Sequence, residues 1–289
     1  MVNGYKIGFF AGPALSAISP EEMCKGLKKI GYDAIELDRA WLNSKSLKEI
    51  GRDVEIIKAE GLELSDIVIQ LDYVNRSEAD DLANIKATIS DMLKAKEIGC
   101  DTVNLFTGPR PWISDPVICG RDYSVSACWE KVYAAFDELV PFAEKNRMNI
   151  ALENVWGMMC RDFFTAKFIV DRYHSDYFGV NFDPSHDVLA GNTDMEFLLC
   201  SWGKGKLKHI HLKDAVGIQQ KGKIAFPPLG EGYVDWTSFI SGLGKTSYSG
   251  VLSVEYEADA HLRIMLGNNW LKAAEESFAA VKSIFNGGF

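Results

Sequence analysis

The chain is expected to be an α/β protein, a (β/α)8 TIM barrel formed as one domain over residues 1–289. Three observations predict this. Eight short apolar runs recur, near 5–10, 34–37, 67–71, 102–106, 149–153, 179–183, 209–211 and 251–255. They are continuous rather than alternating, the pattern of parallel strands covered on both faces. Stretches of helical periodicity separate them, and a closed barrel uses all eight alternations within 289 residues, against about 250 for a typical barrel.

The elements follow in order. The first run holds Ile7-Gly8-Phe9-Phe10. Ser19-Pro20-Glu21-Glu22 then pairs a capping residue with proline at the first helical position. Ser77-Glu78 opens a long amphipathic stretch that reaches Glu97 and is closed by Gly99. Residues 124–145 behave similarly, with Phe136, Leu139, Val140 and Phe142 as the apolar stripe. Asp235-Trp236 starts a shorter helix, and residues 268–284 supply the last one. The longer irregular stretches, 107–112, 154–162 and 214–234, follow strand ends rather than precede strands. The last carries Pro227-Pro228 and Gly230-Glu231-Gly232, the marks of a shaped loop. In a parallel barrel such loops build the active-site face.

Composition narrows the function classes. With 47% hydrophobic and 25% charged residues, the chain has the make-up of a soluble protein with a substantial core. A formal charge of −9 argues against a broad nucleic-acid or anionic-membrane surface, so neither partner is expected. The six cysteines are scattered with no Cys-x-x-Cys pair, as in a reduced intracellular protein. Met1 to Lys6 runs into the first strand without a basic region or long apolar stretch, so no signal peptide is expected. No transmembrane helix is expected either, and the cytoplasm is the expected location.

Four of the runs close on a polar residue: Glu153, Asp183, His211 and Glu255. Their spacings are 30, 28 and 44 residues. The first two equal one βα unit, which places the residues on successive strands at equal depth. The third is lengthened by the loop carrying Gly230-Glu231-Gly232. Three carboxylates and an imidazole brought together without a cation would repel, and a divalent metal resolves the conflict. Oxygen-rich coordination with one nitrogen suits one Mn²⁺ ion best, with Mg²⁺, Co²⁺ and Zn²⁺ as alternatives. Such an ion keeps one or two positions open for a substrate.

Around this set, His186 is placed to orient a ligand or touch substrate, and Lys213 to reach substrate. Trp112 and Trp156, aromatic residues in the loops, are candidates to stack on the substrate, and Glu257 belongs at the rim. His209 is expected to face away from His211 as a satisfied core group. His174 and His261 are expected at the surface.

The segments Ala151-Leu152-Glu153-Asn154, Asp183-Pro184-Ser185-His186, His209-Ile210-His211-Leu212-Lys213-Asp214, Gly230-Glu231-Gly232 with Asp235-Trp236, and Ser253-Val254-Glu255 together resemble the xylose isomerase-like barrel superfamily. Within it the chain looks most like the sugar (phosphate) isomerase/epimerase family. That group includes ketose 3-epimerases and inosose dehydratases and, more distantly, endonuclease IV. The resemblance implies that Glu153, Asp183, His211 and Glu255 hold the metal, that the two glutamates are the acid–base pair, and that His186 contacts substrate. On that reading a hydroxyl and an adjacent carbonyl of a polyol would fill the ion's open positions, Glu153 or Glu255 would remove the proton beside the carbonyl, and the other glutamate would return one. The shared enediolate would lead to epimerisation, isomerisation or dehydration. Two positions depart from the ketose epimerase pattern: Met159 stands where those enzymes carry a second Glu, and Gly217 where they carry an Arg. The His-Leu-Lys-Asp ending is more like the inosose dehydratase and isomerase branch.

The expected function is therefore a divalent-metal-dependent sugar or polyol isomerase/epimerase. An inosose-type dehydratase is the alternative. A phosphodiesterase of the endonuclease IV kind would need more histidines at strand ends than five in the whole chain supply, and a non-catalytic sugar-binding barrel would not need four ligands. The expected partner is a small sugar or polyol, with a homo-oligomer suggested by aromatic residues in the loops.

Overall fold

A computed structural model describes residues 1–288. Its strands are β1 (Lys6–Phe10), β2 (Ala34–Asp38), β3 (Glu63–Ile69), β4 (Thr102–Leu105), β5 (Asn149–Glu153), β6 (Phe178–Phe182), β7 (Leu207–Leu212), β8 (Val216–Ile218), β9 (Lys223–Ala225) and β10 (Val251–Val254). Strands β1 to β7 and β10 close into a parallel barrel in sequence order, with β10 joining β1 to β7. The (β/α)8 expectation is met. β8 and β9 form a separate antiparallel hairpin inside the 214–234 stretch, which the sequence marks only as a shaped loop.

Most helices begin where a capping side chain stands. Ser19 accepts from the Glu22 amide, Ser77 from Asp80, Ser124 from Ala127, Asp235 from Ser238 and Asn269 from Lys272, each satisfying an amide the first turn leaves unpaired. The long helices Glu78–Glu97 and Val125–Asn146 lie close to their expected bounds. No helix among the described residues is long and apolar enough to cross a membrane.

The third strand differs from expectation. It begins at Glu63, four residues before its apolar run, because its first half, Glu-Leu-Ser-Asp, is paired to β2 despite its polarity. Within that half Asp66 is fully buried, so the sequence hid a strand whose polar residue faces the barrel interior.

The interior of the barrel is unusual in composition. Such bores are generally filled by branched aliphatic side chains. Here Glu36 on β2, Asp66 on β3, Asn104 on β4, Asn181 on β6, His209 on β7 and Ser253 on β10 are all buried, forming a polar layer beneath the C-terminal mouth. Both irregularities in the ladder adjoin this layer. The β2–β3 register slips between Ile35 and Leu37, so that two residues of β3 oppose Glu36. The β6–β7 register slips between Val180 and Asn181, inserting Lys208 just before His209. Gly179 is required there: a Cβ at that position would lie 2.0 Å from the Lys206 carbonyl oxygen.

Candidate metal centre

The four residues singled out by spacing converge. One donor atom from each of Glu153, Asp183, His211 and Glu255 lies within 4.8 Å of every other, and all four residues are buried. Each is delivered differently. Glu153 ends β5, and Asp183 follows β6 and caps the short helix Pro184–Ala190 by accepting from the Ser185 amide at 2.8 Å. His211 lies within β7, and Glu255 follows β10 directly. They are not level in the hydrogen-bond ladder, where Glu153 stands opposite Asn181 and His211 opposite Ser253. The stagger of tilted strands, rather than matched register, restores their common depth.

The donor set fits a divalent cation. His211 Nδ1 is 3.3 Å from Glu153 Oε1, 3.3 Å from Glu255 Oε2 and 4.0 Å from Asp183 Oδ2. His211 Nδ1 is buried without a hydrogen-bond partner, and Asp183 Oδ2, also buried, meets the Lys213 ammonium at 2.9 Å. Buried polar atoms are rarely left so, and three oxygens with one nitrogen aimed at a common point form a set that a bound ion would satisfy.

Beside this set lies Lys213, whose ammonium contacts Glu255, sits 2.9 Å from Asp183 Oδ2 and 3.1 Å from Glu257 Oε2, and lies 4.9 Å from the ring centre of Phe226. Burial works to lower the Lys213 pKa, but Asp183, Glu255 and Glu257 outweigh it and hold the amine charged. Burial likewise works to raise Glu255, and Lys213 and His211 reverse this and bring its carboxyl to about 2. Glu153 is pushed the other way, upward, by burial and then by the Glu255 charge. His186 is driven well below its ordinary value by burial and by Lys213, which keeps the ring neutral. Its Nδ1 accepts from the Trp156 amide at 3.3 Å, and its Nε2 lies 3.2 Å from the Lys213 ammonium and 3.5 Å from Asp183 Oδ2.

A cavity of about 250 Å³ opens above these groups. Glu153, Glu255, His186 and Lys213 form its floor, with Trp112, Trp156, Phe106 and Phe226 among its walls and Glu257 and Asp259 at its edge. The two tryptophans lie with ring centres 6.0 Å apart. All the substrate-contact candidates, His186, Lys213, Trp156 and Trp112, thus line one cavity. A larger cleft of about 510 Å³ lies at the other end of the barrel, between residues 200–208 and 245–250, and none of the clusters of ligating side chains among the described residues reaches it.

The 214–234 loop that carries Phe226 is tied to one carboxylate. Asp214 accepts from the amides of Ala215, Gly230 and Val234 and from the indole of Trp236, all between 3.0 and 3.1 Å. Gly232 packs against it so tightly that a Cβ there would lie 2.0 Å from Asp214 Oδ1. Gly217 sits in the β8–β9 hairpin at φ +116°, where a Cβ would meet the Lys223 carbonyl oxygen at 2.0 Å. A side chain is therefore excluded where ketose epimerases carry an arginine. Met159, at the other departure, is buried in the core.

One expectation is corrected. His209 does not face away from His211, because residues two apart on a strand share a face. Both rings enter the bore, and the Nε2 atoms of His209 and His211 lie 3.0 and 2.9 Å from the two oxygens of Glu36.

The sequence reading also missed Glu36, Asn104, Asn154 and Asp187. Asn104 Nδ2 donates to Glu153 Oε2 at 2.6 Å. Asn154 accepts from the Asp183 amide and donates to the Asp183 carbonyl, and Asp187 accepts from Asn154. The available signal was a polar residue in the middle of an otherwise apolar run, as in Ala34-Ile35-Glu36-Leu37 and Thr102-Val103-Asn104-Leu105.

Comparison with known proteins agrees with the barrel fold. The chain matches the xylose isomerase-like TIM barrel family over residues 24–284, and it belongs to that family. Among solved structures it is similar to an IolI protein with a bound zinc atom, at 20% identity and a TM-score of 0.77, covering 98% of this chain and 99% of that one. It is also similar to a D-psicose 3-epimerase studied in the presence of D-fructose, at 15% identity and a TM-score of 0.73, covering 96% of each chain. A probable 3-DHS dehydratase, AsbF from Bacillus anthracis, aligns at 13% identity and a TM-score of 0.71, covering 96% of this chain and 98% of that one. The sequence matches none of the curated proteins.

Proposed function

We propose that the chain is a divalent-metal-dependent enzyme that isomerises or epimerises an uncharged sugar or polyol by moving a proton beside its carbonyl. The observation that carries this reading is the convergence of Glu153, Asp183, His211 and Glu255, of which the two glutamates reach the floor of an aromatic-walled cavity. When bound, a divalent ion would draw charge from the carbonyl and make the neighbouring C–H acidic; Mn²⁺ suits the ligand set, and the zinc of the IolI neighbour fits it equally.

The chain's own groups account for the rest. The two glutamate carboxylates face the cavity from β5 and from beyond β10, so one can take the proton and the other return it. His186, a neutral ring in the cavity beside Lys213, can hydrogen-bond a substrate oxygen. Trp112 and Trp156 supply apolar faces for the C–H side of a sugar, and closure of the cavity by Phe226 would exclude water.

An uncharged substrate follows from the balance of charge. Lys213 is the sole Lys or Arg among the lining residues, and Asp183, Glu255 and Glu257 already neutralise it. The guanidinium of Arg110 is held on Asp72 by two contacts of 3.1 Å. Five carboxylates against one ammonium and one divalent ion leave nothing to recognise a phosphate.

Dehydration is the second reading, favoured by one observation: the Lys213 ammonium lies in the cavity floor, where it could protonate a departing hydroxyl. The phosphodiesterase reading finds no support, since the ends of β3 and β4 bring Gln70 and Phe106 to the cavity and no imidazole.

The test is incubation of the metal-loaded protein with inososes and ketohexoses in heavy water, followed by NMR, beside the Glu153→Gln and Glu255→Gln variants. Deuterium should appear beside the carbonyl, and each variant should lose about 10²- to 10⁴-fold in turnover, the usual contribution of a positioned acid or base. Full activity in either variant, or preferential use of phosphate esters, would refute the corresponding part.

A further inference from the structure

Beneath the proposed ligand set, a single carboxylate joins two imidazoles. Glu36 has no exposed surface, and His209 and His211 are buried at its side. Oε1 of Glu36 lies 2.9 Å from His211 Nε2, and Oε2 lies 3.0 Å from His209 Nε2. The Asn181 side-chain amide lies 3.1 Å from the same His211 nitrogen, and turned about it offers that N–H its oxygen, which otherwise has no partner.

A buried carboxylate is strongly unfavourable unless its oxygens are satisfied. Here both are, one by each ring. The backbone departs from regular pairing at the two places that aim these groups. Two residues of β3 stand opposite Glu36, and an extra residue of β7 immediately precedes His209. Such bulges turn a side chain at the expense of ladder pairing and recur beside functional sites. Two independent slips converging on one three-residue cluster indicate a function beyond filling space.

The geometry assigns Glu36 as the positioning residue of the metal centre, a carboxylate that fixes the orientation and tautomer of His211. With the Nε2 proton of His211 donated to Glu36, the lone pair of Nδ1 must point toward Glu153, Asp183 and Glu255, from which it is 3.3, 4.0 and 3.3 Å away. The ring is thereby aimed before any ion arrives. His209 occupies the second oxygen, which prevents Glu36 from rotating away. Asn104 holds Glu153 in the same manner through its 2.6 Å hydrogen bond, so two of the four ligands are fixed from below by the polar layer. A carboxylate behind a ligating histidine is worth about 10- to 100-fold in metal affinity.

The same three side chains could in principle form a second metal site, since their ligating atoms also lie within 4.8 Å of one another. Direct contact of each Glu36 oxygen with a ring nitrogen favours the hydrogen-bonded arrangement, and His211 cannot keep the Nε2 proton while that nitrogen binds an ion.

This inference rests on the metal-binding reading above, and the experiment separates the two. Metal-stripped wild type, Glu36→Gln and His209→Gln are titrated with Zn²⁺ and with Mn²⁺ against a chelator of known affinity, and the melting temperature of each metal-free protein is recorded. The wild type should bind one ion. Glu36→Gln should bind it about 10- to 100-fold more weakly, and His209→Gln, which only removes the buttress, by less. A purely structural role would lower the metal-free melting temperature and leave the dissociation constant unchanged, and that result would overturn the assignment. So would two tightly bound ions in the wild type with one lost in both variants. No ion bound by the wild type would remove the metal-binding reading itself. Should Glu36→Gln not fold, His209→Gln decides: unchanged affinity there overturns the proposal, and weakened affinity with one ion per chain supports it.

Discussion

At the scale of single residues, the candidate metal centre is built from four groups at strand ends and from polar side chains buried within the strands beneath them. Glu153, Asp183, His211 and Glu255 announce themselves because a charged group at the end of an apolar run has no reason to be there on packing grounds. Glu36, Asp66 and Asn104 sit inside runs, where hydropathy averages them away. Asp66 carries a measurable consequence. Burial, reinforced by the Glu36 charge and opposed by His209, lifts its carboxyl from 3.8 to about 7. The folded chain therefore keeps a proton that the unfolded chain releases, and stability falls as pH rises from about 4 to about 7. The slope is at most about 1.4 kcal/mol per pH unit. Asp66→Asn keeps an acceptor for the Asn104 amide, which Asp66 Oδ1 now binds at 2.8 Å, and removes the titration. Relative to wild type it should gain about 1–3 kcal/mol between pH 5 and pH 8 in denaturant unfolding; an identical difference at both values would contradict this origin.

At the scale of elements, periodicity found the barrel strands and the long helices but not where polar residues serve the backbone. β3 lost its first half to a run that reads as surface, and the β8–β9 hairpin is too short for any periodic signal. The register slips were invisible because pairing is decided by the neighbouring strand, not by the strand's own sequence. Gly179 marks one of them. Gly179→Ala drives a methyl group into the Lys206 carbonyl, and β6 and β7 must separate to admit it. Unfolding in urea should show a loss of about 1–3 kcal/mol, the range for overpacked positions. A neutral substitution would mean that the strands part there without strain.

For the molecule as a whole, the family and architecture were accessible from the chain alone, whereas the convergence of four ligands required the closed barrel. Separations of 30, 28 and 44 residues become a cluster only because β5, β6, β7 and β10 are consecutive staves. A ligand that binds only the folded chain must stabilise it. At a free-ion concentration 100 times the dissociation constant, Mn²⁺ or Zn²⁺ should add about 2.7 kcal/mol. Differential scanning calorimetry with and without chelator checks this, and a melting temperature indifferent to both ions would deny that the four ligands are assembled around one. The metal-free protein should still fold, since Lys213 already lies against Asp183 and Glu255 as a counter-charge.

The tethering of the 214–234 segment by Asp214 has an evolutionary side. Because three amides and an indole are gathered onto one anion, the excursion can keep its course while the residues between its anchor points drift. Mutations at Phe226 or its neighbours could retune which molecules are admitted without disturbing the scaffold that performs the chemistry. A lineage carrying such a fastening is free to diversify its diet quickly.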